Sequence, residues 1–401
     1  MKNLLKILLP AKGDNASCHI KLPFDRFIWS VVIAAVSLTA CAPTGNTARS
    51  IGEIDQLPSL PNCVTIDKSV PVMTTAAGVE FIRTPGVYFQ NLKDFPYEAH
   101  YFEVDGLRLA YEDEGPRDAP VVLMLHGQPD WSYLYRKMIP PITSAGYRII
   151  ALDLMGFGRS DKPIDPSIHT YEQHITWVKA FIKGLGLKDI TLFAQDWGGL
   201  IGLRVVGDES ELFARVISAN TTLPLFEKGQ NPYSLPANIG IDCNATNLAL
   251  AVGPALLLGQ QVPMFNAWIK YTLTSPTFMP SEVMKQQVKG LSDEEAAAYD
   301  APFPSFIYKA APRTFPSMIV AVTDNNTAAW DALGHFEKPF LTLAGERDNL
   351  LGKKDIQDRL IAHIPGAKGQ PHARFDAGHF IQDDLGAEMA AIVVKFIQDN
   401  P

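Results

Sequence analysis

Leu192–Leu203 reads LFAQDWGGLIGL, and the reading of its junction residue, Asp196, decides the fold. The run up to Gln195 is apolar and suits a buried strand; the run after Gly198 and Gly199 suits a helix. A carboxylate between two apolar elements has two readings. It is a helix N-cap, which is common, or it is a reactive group thrust out at a sharp strand-to-helix turn. Gly198, two positions on, lets such a turn close tightly. In a parallel sheet that turn lies at the C-terminal edge, where ligands bind.

The surrounding chain supplies the rest of a sheet. APVVLMLHG (Ala119–Gly127), the start of YRIIALDLMGFGRSD (Tyr147–Asp161), DITLFAQ (Asp189–Gln195) and ARVISANTT (Ala214–Thr222) are short apolar runs suited to buried parallel strands. HYFEVDGLRLAYEDEG (His100–Gly115) reads as a hairpin about Asp105–Gly106. Between the strands, Ile175, Val178, Phe181, Ile182 and Leu185 recur at helical spacing. Such alternation predicts an α/β fold, a mostly parallel sheet flanked by helices. The pattern breaks over residues 225–315, rich in Pro, Ala and aromatics, and resumes with KPFLTLAGERD (Lys338–Asp348) and PHARFDAGHF (Pro371–Phe380). We therefore expect a core of residues 80–224 and 316–401, with residues 225–315 inserted as a helical cap over the ligand edge.

The chain has 401 residues, 47% hydrophobic and 19% charged, with a net charge of −8. No Lys/Arg block stands out, which argues against a nucleic-acid partner. The apolar run Phe27–Leu38 follows Lys21 and Arg26 and is too short for a comfortable membrane span. LTAC (Leu38–Cys41) comes next and resembles a bacterial lipobox. That resemblance implies a signal segment over residues 1–40 and a lipid on Cys41. The Pro-, Ser-, Thr- and Gly-rich stretch that follows Cys41 reads as a tether over 41–79, and the lipobox resemblance implies a protein held by its lipid to a membrane on the periplasmic side of the cell envelope. Cys63 and Cys243 remain; in an oxidising compartment they could pair, and two free thiols are the equal alternative.

Three further features weigh on Asp196. HGQP (His126–Pro129) ends an early strand, where a backbone N–H could face a reacting oxygen; His126 itself reads as structural. His379 lies just past the last expected strand, and Asp348 just past the one before it. A carboxylate there can hold a histidine in one tautomer. The alternative acid position holds Asn220. No cluster of His and carboxylates surrounds Asp196, so neither a metal nor another cofactor is expected.

Taken together, several stretches resemble the haloalkane dehalogenases, of the α/β-hydrolase fold. They are IRTPGVYFQNL (Ile82–Leu92), HGQPDWSYLYRKMIP (His126–Pro140), DLMGFGRSDKP (Asp153–Pro163) and AQDWGGLIGL (Ala194–Leu203). NAWIKYTLTSP (Asn266–Pro276), AAAYDAPFPS (Ala296–Ser305), GERDNLLG (Gly345–Gly352) and DAGHFIQ (Asp376–Gln382) continue the order. The resemblance covers roughly four-fifths of the chain and is nearest to the branch with an Asp-His-Asp triad and two halide-binding tryptophans. It implies Asp196 as nucleophile, His379 as base and Asp348 as its partner. The backbone N–H groups of Gln128 and Trp197 would form the oxyanion hole. The indoles of Trp197 and Trp268 would bind halide, because an indole N–H donates and never accepts. Leu200, Phe265, Phe303, Pro304, Leu350 and Leu351 are the expected pocket walls. Substrate, water and halide are the expected small-molecule partners, and a monomer the expected state.

Two other readings stand beside this one. An epoxide hydrolase would share the Asp nucleophile and use cap tyrosines such as Tyr233, Tyr271, Tyr299 or Tyr308 to protonate the opened oxygen. A ligand-binding lipoprotein could keep the scaffold without the chemistry.

Overall fold

The computed structural model describes residues 49–50 and 61–401. The expected signal segment and Cys41 lie outside the described residues. The apolar runs do form strands, and they assemble into two sheets. A small antiparallel sheet is built from β1 (Arg49–Ser50), β2 (Pro71–Thr74) and β3 (Glu80–Ile82), with a later strand, β8 (Lys162–Pro163), completing it. The main sheet contains β4 (His100–Val104), β5 (Leu107–Glu114), β6 (Val121–Leu125), β7 (Arg148–Leu152), β9 (Ile190–Gln195), β10 (Phe213–Ala219), β11 (Phe340–Gly345) and β12 (Ala373–Phe375). Its order is β12-β11-β10-β9-β6-β7-β5-β4. Every pair from β7 to β12 is parallel, whereas β5 runs antiparallel to both of its neighbours.

Helices cover both faces. α1 (Ile139–Ser144), α2 (Tyr171–Gly184) and α3 (Asp196–Asp208) follow β6, β8 and β9. Strand β6 shows why two layers form: Leu123 and Leu125 enter the apolar cluster under α2 and α3, while Val122 and Met124 enter the opposite one. Side chains alternate along a strand, so a wholly apolar run must be covered twice. α2 begins where the Thr170 hydroxyl accepts the Gln173 N–H at 3.2 Å, a side-chain N-cap. It buries Ile175, Val178, Phe181 and Ile182 on its sheet-facing side.

Between β10 and β11 the chain leaves the sheet as α4 (Leu248–Leu257), α5 (Gln261–Thr274), α6 (Pro280–Gln287), α7 (Asp293–Asp300) and α8 (Ala310–Met318). α9 (Thr327–Leu333) then leads back to β11. After it come α10 (Lys354–His363), α11 (Ile381–Asp384) and α12 (Gly386–Asp399). Buried Arg136 ties α7 to the core: it donates to Glu295 at 2.8 Å and to Asp383 at 2.9 Å and 3.0 Å.

The expected boundaries differ from the structure at three places. β1 and β2 both lie within the stretch expected to be tether, and Val72 of β2, with Val70 just before it, is buried in the main apolar cluster. Cys63, also in that stretch, is disulfide-bonded to Cys243 of the insertion, with Cα atoms 5.8 Å apart. α8 runs across the 315/316 boundary, because Phe315 packs on Phe157 and Trp197 of the core, at ring separations of 4.6 Å and 5.6 Å.

Candidate active site

The sheet order sets where a site can form. β7 and β9 lie on opposite sides of β6, so the loops leaving β6 and β9 part at their C-terminal ends. That divergence is the crevice in which open α/β sheets bind ligands. Gln128 follows β6, and Asp196 follows β9.

Asp196 opens α3 with φ +49°, a left-handed conformation that few non-glycine residues adopt. Strain of this kind costs about 1–3 kcal/mol and persists only where the surroundings enforce it. Two glycines permit it. A Cβ on Gly198 would strike the carbonyls of Leu125 and His126, and one on Gly127 would strike the Asp196 carboxylate. The Thr221 hydroxyl then donates to the Asp196 carbonyl at 2.7 Å. Asp196 is buried, and Gln128 N–H donates to its Oδ1 at 2.9 Å.

His379 approaches from the loop after β12. Its Nε2 lies 3.4 Å from Asp196 Oδ2, and its Nδ1 is 2.7 Å from Asp348 Oδ2. Asp348 is saturated with donors: Asn220 Nδ2 at 2.7 Å, Leu350 N–H at 2.8 Å and Leu351 N–H at 3.1 Å, besides His379. Asn220 is itself locked, since its Oδ1 accepts the Gly345 N–H at 2.7 Å. Burial acts to raise the Asp348 pKa, but His379 and these donors hold it below the ordinary value. Burial acts to lower that of His379, but Asp348 and then Asp196 raise it to about 10.

His126 is structural, as its reading had it. Its Nε2 accepts the Leu154 N–H at 2.9 Å, so Nδ1 carries the proton, 2.8 Å from Gly127 O. Gln195 was not foreseen as part of the site. Its amide Nε2 lies 2.8 Å from His379 Nε2, while its Oε1 is buried without a partner. An amide turned one way offers a donor to neutral imidazole, and turned the other way an acceptor to imidazolium. The only hint in sequence is its position at the end of β9, beside the nucleophile.

A cavity of about 190 Å³ opens over these groups. Gln128, Asp196, Trp197, Trp268, Asp348 and His379 line it, with Phe265 and Leu350 among the apolar wall. Trp131 donates its indole N–H to Ala298 O at 3.1 Å, and Trp177 donates to Asp105 Oδ2 at 2.9 Å. Among the described residues, Trp197 and Trp268 have no such protein acceptor and face the cavity instead. The Gln128 side chain, by contrast, is committed: its Nε2 donates to Pro312 O at 2.7 Å.

Four expected wall residues do not line this cavity. Leu200 and Phe303 are buried in the core cluster, Phe303 edge-on to Phe157. Pro304, next to Phe303, is half-buried and also does not line the cavity. Leu351 contributes its backbone N–H to Asp348 rather than its side chain to the wall. Leu248, Val252, Met264 and Val283, all from the insertion, take their place.

Residues 120–384 match the alpha/beta hydrolase fold family. A haloalkane dehalogenase of Mycobacterium marinum is 42% identical over 329 residues, covering 79% of this chain and 100% of its own. One of Psychrobacter cryohalolentis is 41% identical, covering 80% and 100%. Among solved structures, the haloalkane dehalogenase DpaA of Paraglaciecola agarilytica, described as tetrameric, aligns with TM-score 0.63 and 32% identity over 78% of this chain and 96% of its own. This chain belongs to the haloalkane dehalogenase family.

Proposed function

We propose that this protein hydrolyses a haloalkane to an alcohol and halide through an alkyl ester on Asp196. The observation that carries the reading is the division of labour at one carboxylate. Oδ1 is held by the Gln128 N–H at 2.9 Å, while Oδ2 faces the cavity side beside His379. Oδ2 attacks the carbon that bears the halogen, and the carbon–halogen bond breaks as the ester forms. The indole N–H groups of Trp197 and Trp268 receive the leaving halide. Oδ1 is now the ester carbonyl oxygen, already held by the Gln128 N–H, and the Trp197 N–H is the second donor this reading assigns to it as negative charge develops there. His379 takes a proton from water, which attacks that carbonyl, and Asp348 stabilises the imidazolium that results. The tetrahedral intermediate then breaks its bond to the alkyl oxygen, and the alcohol leaves with the proton returned by His379. The Asp196 carboxylic acid loses its proton to solvent. The ester has no charge, so one of the two carboxylates that raise the His379 pKa is lost at the step where a base is needed.

The epoxide hydrolase reading has less support. None of Tyr233, Tyr271, Tyr299 and Tyr308 lines the cavity. Tyr271 and Tyr299 donate to Glu282 and Asp383, at 2.8 Å and 2.5 Å. A non-catalytic binder would need none of this alignment. Asp196, His379 and Asp348 meet within a single chain, so the reading needs no second subunit to complete the triad. The lipobox-like LTAC and the Cys63–Cys243 disulfide, typical of oxidising compartments, support a lipid-anchored protein on the periplasmic side of the envelope.

The test is halide release from chlorinated and brominated alkanes. The wild type releases halide and Asp196→Asn does not; equal release by both, or turnover of an epoxide with no halide from any alkane, refutes the mechanism. Palmitate incorporation that disappears in Cys41→Ser is the expected result for the anchor.

A further inference from the structure

We propose that the outer face of α4 rests on a lipid bilayer, so that the active-site cavity is fed from the membrane. The proposal builds on the lipid-anchor reading. α4 is apolar on every side. Leu248, Ala251 and Val252 turn inward onto Trp268, Tyr271 and Phe278. Leu250 and Leu257, seven residues apart and so on one face, are 77% and 88% exposed, and Leu258 beyond them is 70% exposed. A helix apolar all round belongs in a core or a membrane, and this one has protein on one side alone.

Charge supports a lipid partner. Between Lys228 and Lys270 the chain carries a single charged side chain, Asp242, in a protein that is 19% charged. Such a surface meets hydrocarbon with few ions to desolvate; Asp242 and Lys270, which line a pocket with Leu250, are the charges that would stay at its polar rim. Covalent structure supplies the direction. The Cys63–Cys243 disulfide fastens residue 63, downstream in sequence of the proposed lipid site, to the residues just ahead of α4. Cys63, and not the lipid-bearing residue, is fixed at the foot of the exposed apolar helix, and the chain from Cys41 to Cys63 spans at most about 75 Å, which bounds how far the anchor can lie from that helix. The inner side of that helix supplies Leu248 and Val252 to the cavity wall. Apolar haloalkanes concentrate in lipid, and α4 would separate that reservoir from Asp196 by one helix.

The full chain is tested in the membranes that hold it. Leu257→Cys carries a nitroxide label, with Lys395→Cys, on an exposed position of α12, as the control. The expected result is that lipid-soluble oxygen relaxes the label at 257 more than a water-soluble nickel chelate does, with the reverse at 395. Nickel dominance at 257 in a palmitate-labelled, membrane-pelleted protein overturns the docking and leaves the anchor standing. Shielding from both agents, with spin–spin broadening between copies, overturns it in favour of a second copy of this chain on that face. Loss of palmitate labelling altogether overturns the anchor, and the docking with it.

Discussion

Asp348→Asn isolates the second half of the reaction. The carboxylate accepts two backbone N–H groups on Oδ1, and His379 and Asn220 on Oδ2. An amide offers one acceptor atom and one donor group to the same four donors. Suppose its oxygen stays toward His379 and Asn220. The Leu350 and Leu351 N–H groups then both face a donor, and each buried orphan costs about 1–3 kcal/mol. Suppose instead it turns toward those two N–H groups. His379 can adapt by moving its proton to Nε2, and only the Asn220 amide is orphaned; Gly345 N–H prevents Asn220 from turning over. The second arrangement leaves one orphan against two and prevails by about 1–3 kcal/mol. It also presents Nε2–H to the ester, which cannot accept a proton from water. By analogy with the serine-protease triad, the expected fall in kcat is about 10⁴-fold, equivalent to about 5.5 kcal/mol. The displacement step needs no base, so it survives. Rapid mixing with a bromoalkane should release one bromide per chain in a burst and then stall, and intact-mass analysis should find the alkylated protein. A missing burst, or kcat within tenfold of the wild type, refutes the reasoning.

Three further outcomes are expected. If Trp268 binds halide as proposed, Trp268→Phe removes one N–H from the leaving halide, a hydrogen bond to a charged group that contributes about 1.5–3 kcal/mol. kcat/KM should fall roughly ten- to a hundredfold with the thermal midpoint unchanged, in a halide-release assay. His379, raised to about 10 in the fold, stabilises it fully below its unfolded value near 6.5 and loses that contribution as pH rises toward 10. The gap in thermal midpoint between wild type and His379→Gln should therefore narrow between pH 6 and pH 10, and a constant gap in calorimetry contradicts the ion-pair account. Cys63→Ser opens a loop closed across a sequence separation of 180. In the chain-entropy account this removes up to about 5 kcal/mol of stability, measurable as a lower denaturation midpoint that dithiothreitol reproduces in the wild type.

What could be read in advance follows from how each feature is encoded. The strands of the main sheet are legible because a strand covered on both faces must be apolar throughout, as in Val121–Leu125. Asp196 and Asp348 are legible because each follows a mostly apolar strand run, whereas His379 lies beyond a short strand that carries Arg374 and is picked out mainly by its place after the last strand. The cavity wall is harder. Phe303 and Phe265 are the same residue type in the same insertion, yet one fills the core and the other lines the cavity. Core and wall select for the same chemistry, so composition does not separate them. β2 is hard to read from a Pro- and Thr-rich stretch because it is short, with Val72 and Met73 its aliphatic side chains. The Cys63–Cys243 pair depends on a distance across the fold, which residue spacing does not encode. Gln195 was overlooked because a glutamine at a strand end has no motif of its own.

The insertion between β10 and β11 separates two kinds of change that selection can make. Asp196, His379, Asp348 and the Gln128 N–H all hang from loops of the sheet, while Leu248, Val252, Met264, Phe265 and Trp268 come from the insertion. Substitutions at the four aliphatic and aromatic wall positions other than Trp268 reshape the cavity without shifting the carboxylate, the imidazole or their donors. New substrate preferences can therefore arise by drift in one segment, with the bond-breaking apparatus inherited intact.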